Sequence, residues 1–219
     1  MLRANNLVGF GVGLRPATVT YTDSSASNTD LTTYTFSSLS IGEASTSRHV
    51  IVAVLASNSA ATVSTVSTLT VGGVSASLAK RATATNGIAE IWIAAVPTGA
   101  TGNVVVTFNA GNNRASVGVW AAYNLLSATA TDSDESNADP GVISIDVQAG
   151  GILVAGVYSS TGTVSYTWTN ITERFDIVVE TSRRASGASL DFAAAQTGLS
   201  ITADASAATS QTMVAAAFR

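Results

Sequence analysis

The feature that most constrains this chain is the rhythm of its apolar residues. Short runs rich in Val, Ile, Thr and aromatic residues recur along it, with Gly, Asn, Asp or Pro between them roughly every 8–12 residues, the spacing of an all-β sandwich or barrel. Some runs alternate, as in Thr33-Tyr34-Thr35-Phe36 and Val142-Ile143-Ser144-Ile145-Asp146-Val147. That pattern fits a strand with one buried face. Others are nearly continuous, as in His49 to Leu55 and Ile152 to Tyr158. Those fit strands covered on both faces. Gly72-Gly73 and Gly150-Gly151 mark tight turns between such runs. A 3.6-residue period is hard to find anywhere. The Ala-rich stretches 193–195 and 215–217 continue strand patterns, so they read as strands too.

The expected architecture is an antiparallel β sandwich, jelly-roll-like, with an extended N-terminal arm. The arm covers residues 1–16 and ends at Pro16. Its apolar residues Leu7, Val8, Phe10, Val12 and Leu14 are separated by Gly9, Gly11 and Gly13. Gly makes a poor helix there, so these side chains need cover from a docking surface. The stretch has the outline of a signal peptide, but the apolar run is short and no small-residue cleavage pattern precedes Arg15-Pro16. Residues 17–219 read as a single sandwich that draws strands from both halves. Each half contains one continuous apolar run, yet no sequence repeat relates the halves.

Composition narrows the function. Charged residues are 11% of the chain, against about 25% in an average soluble domain. Ser, Thr, Asn and Gly fill the gap, which suits a rigid, closely associated assembly. The net charge is −4 and Lys80 is the one lysine. No basic stripe exists to neutralise phosphates, which argues against nucleic acid. The acidic balance argues against anionic membranes as well. With no cysteine, neither a disulfide framework nor a thiolate metal site can form.

Candidate chemistry is sparse. His49 is the one histidine, so any Ser–His–Asp triad must use it, and no G-x-S-x-G elbow occurs. It reads as a strand-end histidine. The acidic stretch 131–140, with Asp132, Asp134, Glu135 and Asp139, invites a calcium reading. Asn137 stands where an EF-hand loop requires Gly, and no Glu closes the loop. The stretch reads as a solvated acidic loop. Glu90, Glu173 and Asp176 are the carboxylates to weigh for glycoside hydrolysis, each with a plain reading as a strand-edge or solvent-face charge. Tyr166 and Trp168 share one face of an alternating strand and are the best candidates for contact with sugar. Asn170-Ile171-Thr172 matches the glycosylation sequon. Lys80-Arg81 and Arg183-Arg184 are the paired basic residues, suited to acidic patches on neighbouring subunits such as 132–139. No catalytic residue, cofactor site or metal site is expected.

Three phrases carry a resemblance. Tyr34 to Val54 (Tyr-Thr-Phe-Ser-Ser-Leu-Ser-Ile-Gly-Glu-Ala-Ser-Thr-Ser-Arg-His-Val-Ile-Val-Ala-Val) resembles a segment of structural proteins of tailed bacteriophages. Leu69-Thr70-Val71-Gly72-Gly73-Val74 is similar to another such segment. Asn5-Asn6-Leu7-Val8-Gly9-Phe10-Gly11 looks like their short N-terminal arms. The resemblance covers about a third of the chain. It implies a non-enzymatic virion protein: a jelly-roll module, tethered by its arm to other virion proteins of capsid or tail. A homo-oligomer is expected, with a trimer favoured. The first functional reading is a capsid decoration or cement protein. The alternatives are a tail fibre, spike or receptor-binding module that reads a host surface glycan, a secreted carbohydrate-binding module, and a glycan depolymerase.

Overall fold

The computed structural model describes residues 14–58, 64–85, 87–111 and 113–219. Seventeen β strands and no helix occur among them. The first nine are β1 (Thr18–Leu31), β2 (Thr33–Ser40), β3 (Arg48–Asn58), β4 (Val66–Val71), β5 (Val74–Ser75), β6 (Ser77–Ala84), β7 (Gly87–Ala95), β8 (Thr101–Phe108) and β9 (Asn113–Tyr123). The other eight are β10 (Asp132–Ser136), β11 (Gly141–Val147), β12 (Gly151–Ser159), β13 (Tyr166–Thr169), β14 (Thr172–Glu180), β15 (Arg183–Phe192), β16 (Gln196–Ala205) and β17 (Gln211–Phe218).

These strands form four sheets, ordered β1-β9-β3-β7-β6, β2-β8-β4-β5, β10-β17-β12-β15-β14 and β11-β16-β13. All their pairings are antiparallel. The first two sheets use only residues before 124 and the last two only residues after 131. The expectation of one sandwich over 17–219 is therefore corrected. Each half holds enough alternating strands to close its own two-layer sandwich.

The two sandwiches share one topology. Strand β1 corresponds to β10, β2 to β11, β3 to β12, β4 to β13, β6 to β14, and β7, β8 and β9 to β15, β16 and β17. In each, the first strand pairs with the last and the second lies beside the second-last, as a chain wrapped into a jelly roll requires. The fifth strand separates the halves. In the first half it begins as β5, paired to β4 in one sheet, and continues past Ala76 as β6 in the other. In the second half it lies wholly within β14, beside β15.

Three cores set the layer order. One fills the first sandwich, with Tyr34, Phe36, Leu69, Val104 and Phe108 facing Val50, Val52, Val54, Val117 and Val119. A second lies between the sandwiches and joins Ile51, Ala53, Leu55, Ile91 and Trp120 to Ile152, Val154, Phe175, Val214 and Phe218. The third fills the second sandwich, with Leu153, Ala155, Val157 and Met213 against Ile143, Ile145, Tyr166 and Ile201. The molecule is thus a stack of four β layers. The two inner sheets have apolar residues on both faces, which is why β3 and β12 read as continuous runs. The outer sheets face water on one side, which is why β11 alternates buried and exposed.

Glycines seat the aromatic side chains between the sandwiches. A Cβ on Gly118 or Gly187 would collide with the Phe175 ring, and one on Gly87 with the Tyr158 ring. The Phe175 ring stands 5.8 Å from Tyr21 and 5.9 Å from Trp120, centroid to centroid. Polar ties rim this contact. Arg114 meets Glu180 at 2.6 Å, Lys80 meets Glu135 at 3.2 Å, and Asn137 donates to the Thr83 carbonyl at 3.0 Å.

Candidate functional site

Each polar cluster that the sequence offered turns out to hold strands together. Glu90 is completely buried and accepts from Arg81 Nε at 2.7 Å, Trp92 Nε1 at 2.7 Å and Val66 N at 3.1 Å. Both carboxylate oxygens are occupied, and the cluster joins β6 and β7 to the start of β4. The second sandwich repeats the device with the charges exchanged between strands. Asp176 of β14 pairs with Arg184 of β15 and accepts from the backbone N–H of Tyr166 at the start of β13. Glu173 stands exposed on β14. Partial burial, and then the charge of Asp176, push its carboxyl up, with Arg184 opposing.

The acidic stretch is corrected in part: Asp132–Ser136 is an edge strand, not a loop. Its carboxylates cap the neighbouring outer sheet. Asp132 accepts from Asp146 N at 2.7 Å and Asp134 from Ser144 N at 3.4 Å. Asp23 of β1 does the same in the first sandwich, accepting from Ser40 N at 2.9 Å. Among the described residues no three Asp, Glu or His side chains gather as a metal site. The basic pairs are also satisfied within the chain. Lys80 meets Glu135, Arg81 meets Glu90, Arg183 meets Glu180 and Arg184 meets Asp176. The expectation that they reach neighbouring subunits loses its footing, because internal carboxylates already hold them.

Tyr166 and Trp168 do share a face, but it is the core face of β13. Tyr166 is 6% exposed, and burial pushes its hydroxyl pKa up. Trp168 is half-buried and donates its indole N–H to Ser186 Oγ at 2.8 Å. The Tyr166 ring is covered by the core and offers no face to a sugar, while the Trp168 ring packs partly against that core. His49 is half-buried near the start of β3, and burial lowers its pKa. Of the arm, Leu7, Val8, Phe10 and Val12 lie outside the described residues. Leu14 is 66% exposed. Just beyond it the chain is clamped: Ala17 N donates to Gly150 O at 2.8 Å, Val19 N to Asp191 Oδ1 at 2.8 Å, and Arg219 to Arg15 O at 3.2 Å.

Among the described residues an open cleft lies on each sandwich. The first, of about 330 Å³, is lined by Thr20, Thr22, Gly42, Glu43, Ala121 and Tyr123. Its wall is the loop between β2 and β3, and Arg48 fixes that loop. Arg48 is 1% exposed, and its guanidinium donates to the carbonyls of Gly42, Val96 and Thr98 at 2.6–2.7 Å. Tyr123 donates its hydroxyl to the Glu43 carbonyl at 2.9 Å. Gly42 has φ +79°, and a Cβ there would lie 2.5 Å from the Ala121 Cβ, so the floor exists only with glycine. The second cleft, of about 270 Å³, is lined by Thr131, Asp146, Val147, Gln148, Ala195, Gln196 and Thr197. Neither was legible in the sequence, because each gathers single polar residues from separate strands and turns. Arg48, next to His49, carried no signal of burial either.

No family model, curated protein or solved structure matches the chain.

Proposed function

We propose that this chain is a non-enzymatic structural protein of a tailed-bacteriophage virion. In this reading it is a decoration or cement protein on the capsid surface, docked through residues 1–16. The observation that carries the reading is the build of the body and the root of its arm. Two jelly rolls, an architecture that viral capsid domains use, are fused through a buried apolar contact into one four-layer block. The chain enters that block where the two halves meet, tied to Gly150 and Asp191 of the second sandwich just before and within β1. A pull on the arm is therefore shared by both sandwiches. The similarity of Tyr34–Val54 and of the arm to phage structural proteins supports the same assignment. Copies grouped about a local three-fold axis would cover exposed apolar residues such as Val142 and Val178, which are 51% and 53% exposed.

Quantitative mass spectrometry of purified particles, with the full chain and with residues 1–16 deleted, tests this. Hundreds of copies per particle, lost on deletion, are expected. A handful of copies would favour a tail fibre or receptor-binding module. Absence from particles would remove the virion reading.

A further inference from the structure

We infer that each sandwich carries a binding cleft for a neutral sugar ring, so that one molecule is a bivalent glycan binder. The inference stands apart from where the protein resides. It rests first on position. Both clefts lie at the same corner of the shared topology, between the first strand of a half and the connection from its second strand to its third. In the first sandwich these are β1 and the β2–β3 loop, with the end of β9 as the floor. In the second they are Thr131 at the head of β10 and the end of β11 with Gln148, closed by the start of β16. Both halves are open at this corner, although the side chains lining it differ and the third wall is β9 in one and β16 in the other.

The chemistry of the linings selects the ligand. No cation lines either cleft, so phosphate, sulfate and carboxylate ligands have nothing to neutralise them. Each holds one carboxylate, from Glu43 or Asp146, together with uncharged hydroxyl or amide groups. In the first cleft the Glu43 carboxylate and Thr20 hydroxyl have no hydrogen-bond partner among the described residues. Ala121, Gly42 and the Tyr123 ring supply an apolar floor. A sugar ring presents both surfaces this calls for, C–H groups for the floor and hydroxyls for the carboxylate. In the second cleft Asp146 is held from two sides. Its Oδ1 accepts from Gly198 N at 2.6 Å, and its own N–H donates to Asp132 at 2.7 Å. Its other oxygen and the side-chain groups of Gln148, Gln196 and Thr197 are left to bind. A carboxylate fixed before the ligand arrives loses less entropy on binding. Both volumes lie near the lower end of small-molecule sites, roughly 300–1,000 Å³, and suit one ring rather than a large ligand. Single-ring sites are weak one at a time, and a repeating polysaccharide long enough to span both clefts would gain avidity over a single ring.

The test is ligand-observed saturation-transfer NMR on the full chain. The probes are glucose, galactose, mannose, rhamnose, N-acetylglucosamine and N-acetylgalactosamine. Two double variants separate the clefts: Thr20→Val with Glu43→Ala, and Gln148→Ala with Gln196→Ala. All four positions are exposed or half-exposed, and an unchanged circular dichroism spectrum checks that the fold is intact. At least one probe is expected to receive saturation. Each double variant should weaken binding at its own cleft about tenfold or more, the first by loss of a charge-assisted hydrogen bond and the second by loss of two neutral ones, and the quadruple variant should be silent. Silence from all six probes overturns the inference, as does a signal that survives in the quadruple variant. A signal abolished by one pair alone overturns the two-site form.

Discussion

At the residue scale, the fold depends on a few side chains in places that composition does not advertise. Arg48 is a buried cation with three carbonyl partners, and it ties the β2–β3 loop to the β7–β8 connection. Hydrogen bonds to a charged group contribute about 1.5–3 kcal/mol each. Arg48→Ala should therefore cost at least about 3 kcal/mol in urea unfolding, and Arg48→Lys should recover little, because an ammonium cannot span three acceptors in a plane. Gly118 matters for the opposite reason, since the Phe175 ring occupies the space a side chain would fill. Gly118→Ala should cost about 1–3 kcal/mol by overpacking. Combined with Phe175→Ala, the two losses should fall well short of additive. Additive losses would mean that the ring and the glycine do not meet.

At the scale of elements, strand types were readable and their partners were not. The continuous runs 49–55 and 152–158 announced strands covered on both faces. They are β3 and β12, the middle strands of the two inner sheets. The alternation at 142–147 announced one wet face, and β11 lies in an outer sheet. What the sequence did not disclose was that this order of strand types occurs twice. The two halves share a topology but not their side chains. Glu90 with Arg81 in one half answers to Asp176 with Arg184 in the other, with the acid and base on exchanged strands. The acidic stretch misled because local polarity suggests a loop, whereas Asp132 and Asp134 earn their place by capping backbone amides of β11. The sugar reading of Tyr166 meets a related obstacle, since its ring is buried. The alternation of Tyr166 and Trp168 was real, but the face they share is the inner one.

Two predictions belong to these elements. Glu90→Gln leaves Arg81 partly buried without its counter-charge, and breaking such a buried pair costs about 3–5 kcal/mol. The change should be read in chemical unfolding, with loss of the β4 edge showing first in hydrogen exchange at Val66. Tyr158 of β12 gives a pH signature. Burial raises its hydroxyl from 10.0 to about 12. The unfolded chain then loses this proton first as pH rises. Stability should fall between pH 10 and about 12, by up to about 2.7 kcal/mol for a two-unit difference. Tyr158→Phe should shallow that fall. Tyr166, also raised by burial, should keep part of it. A slope unchanged by Tyr158→Phe would mean that this hydroxyl is not desolvated.

At the scale of the whole molecule, two sandwiches that could each close a core are joined by a third core of similar composition. The middle layer contains Trp120, Phe175, Phe218 and Tyr158, with aliphatic residues of β3, β7, β12 and β17 around them. Opening it would expose this apolar area together with the Arg114–Glu180 and Lys80–Glu135 pairs. The halves should therefore unfold together. Differential scanning calorimetry of the full chain tests this most directly. The expected result is one transition whose calorimetric enthalpy equals its van't Hoff enthalpy. Two resolved transitions, or a calorimetric enthalpy about twice the van't Hoff value, would contradict it and leave two independent sandwiches on a string.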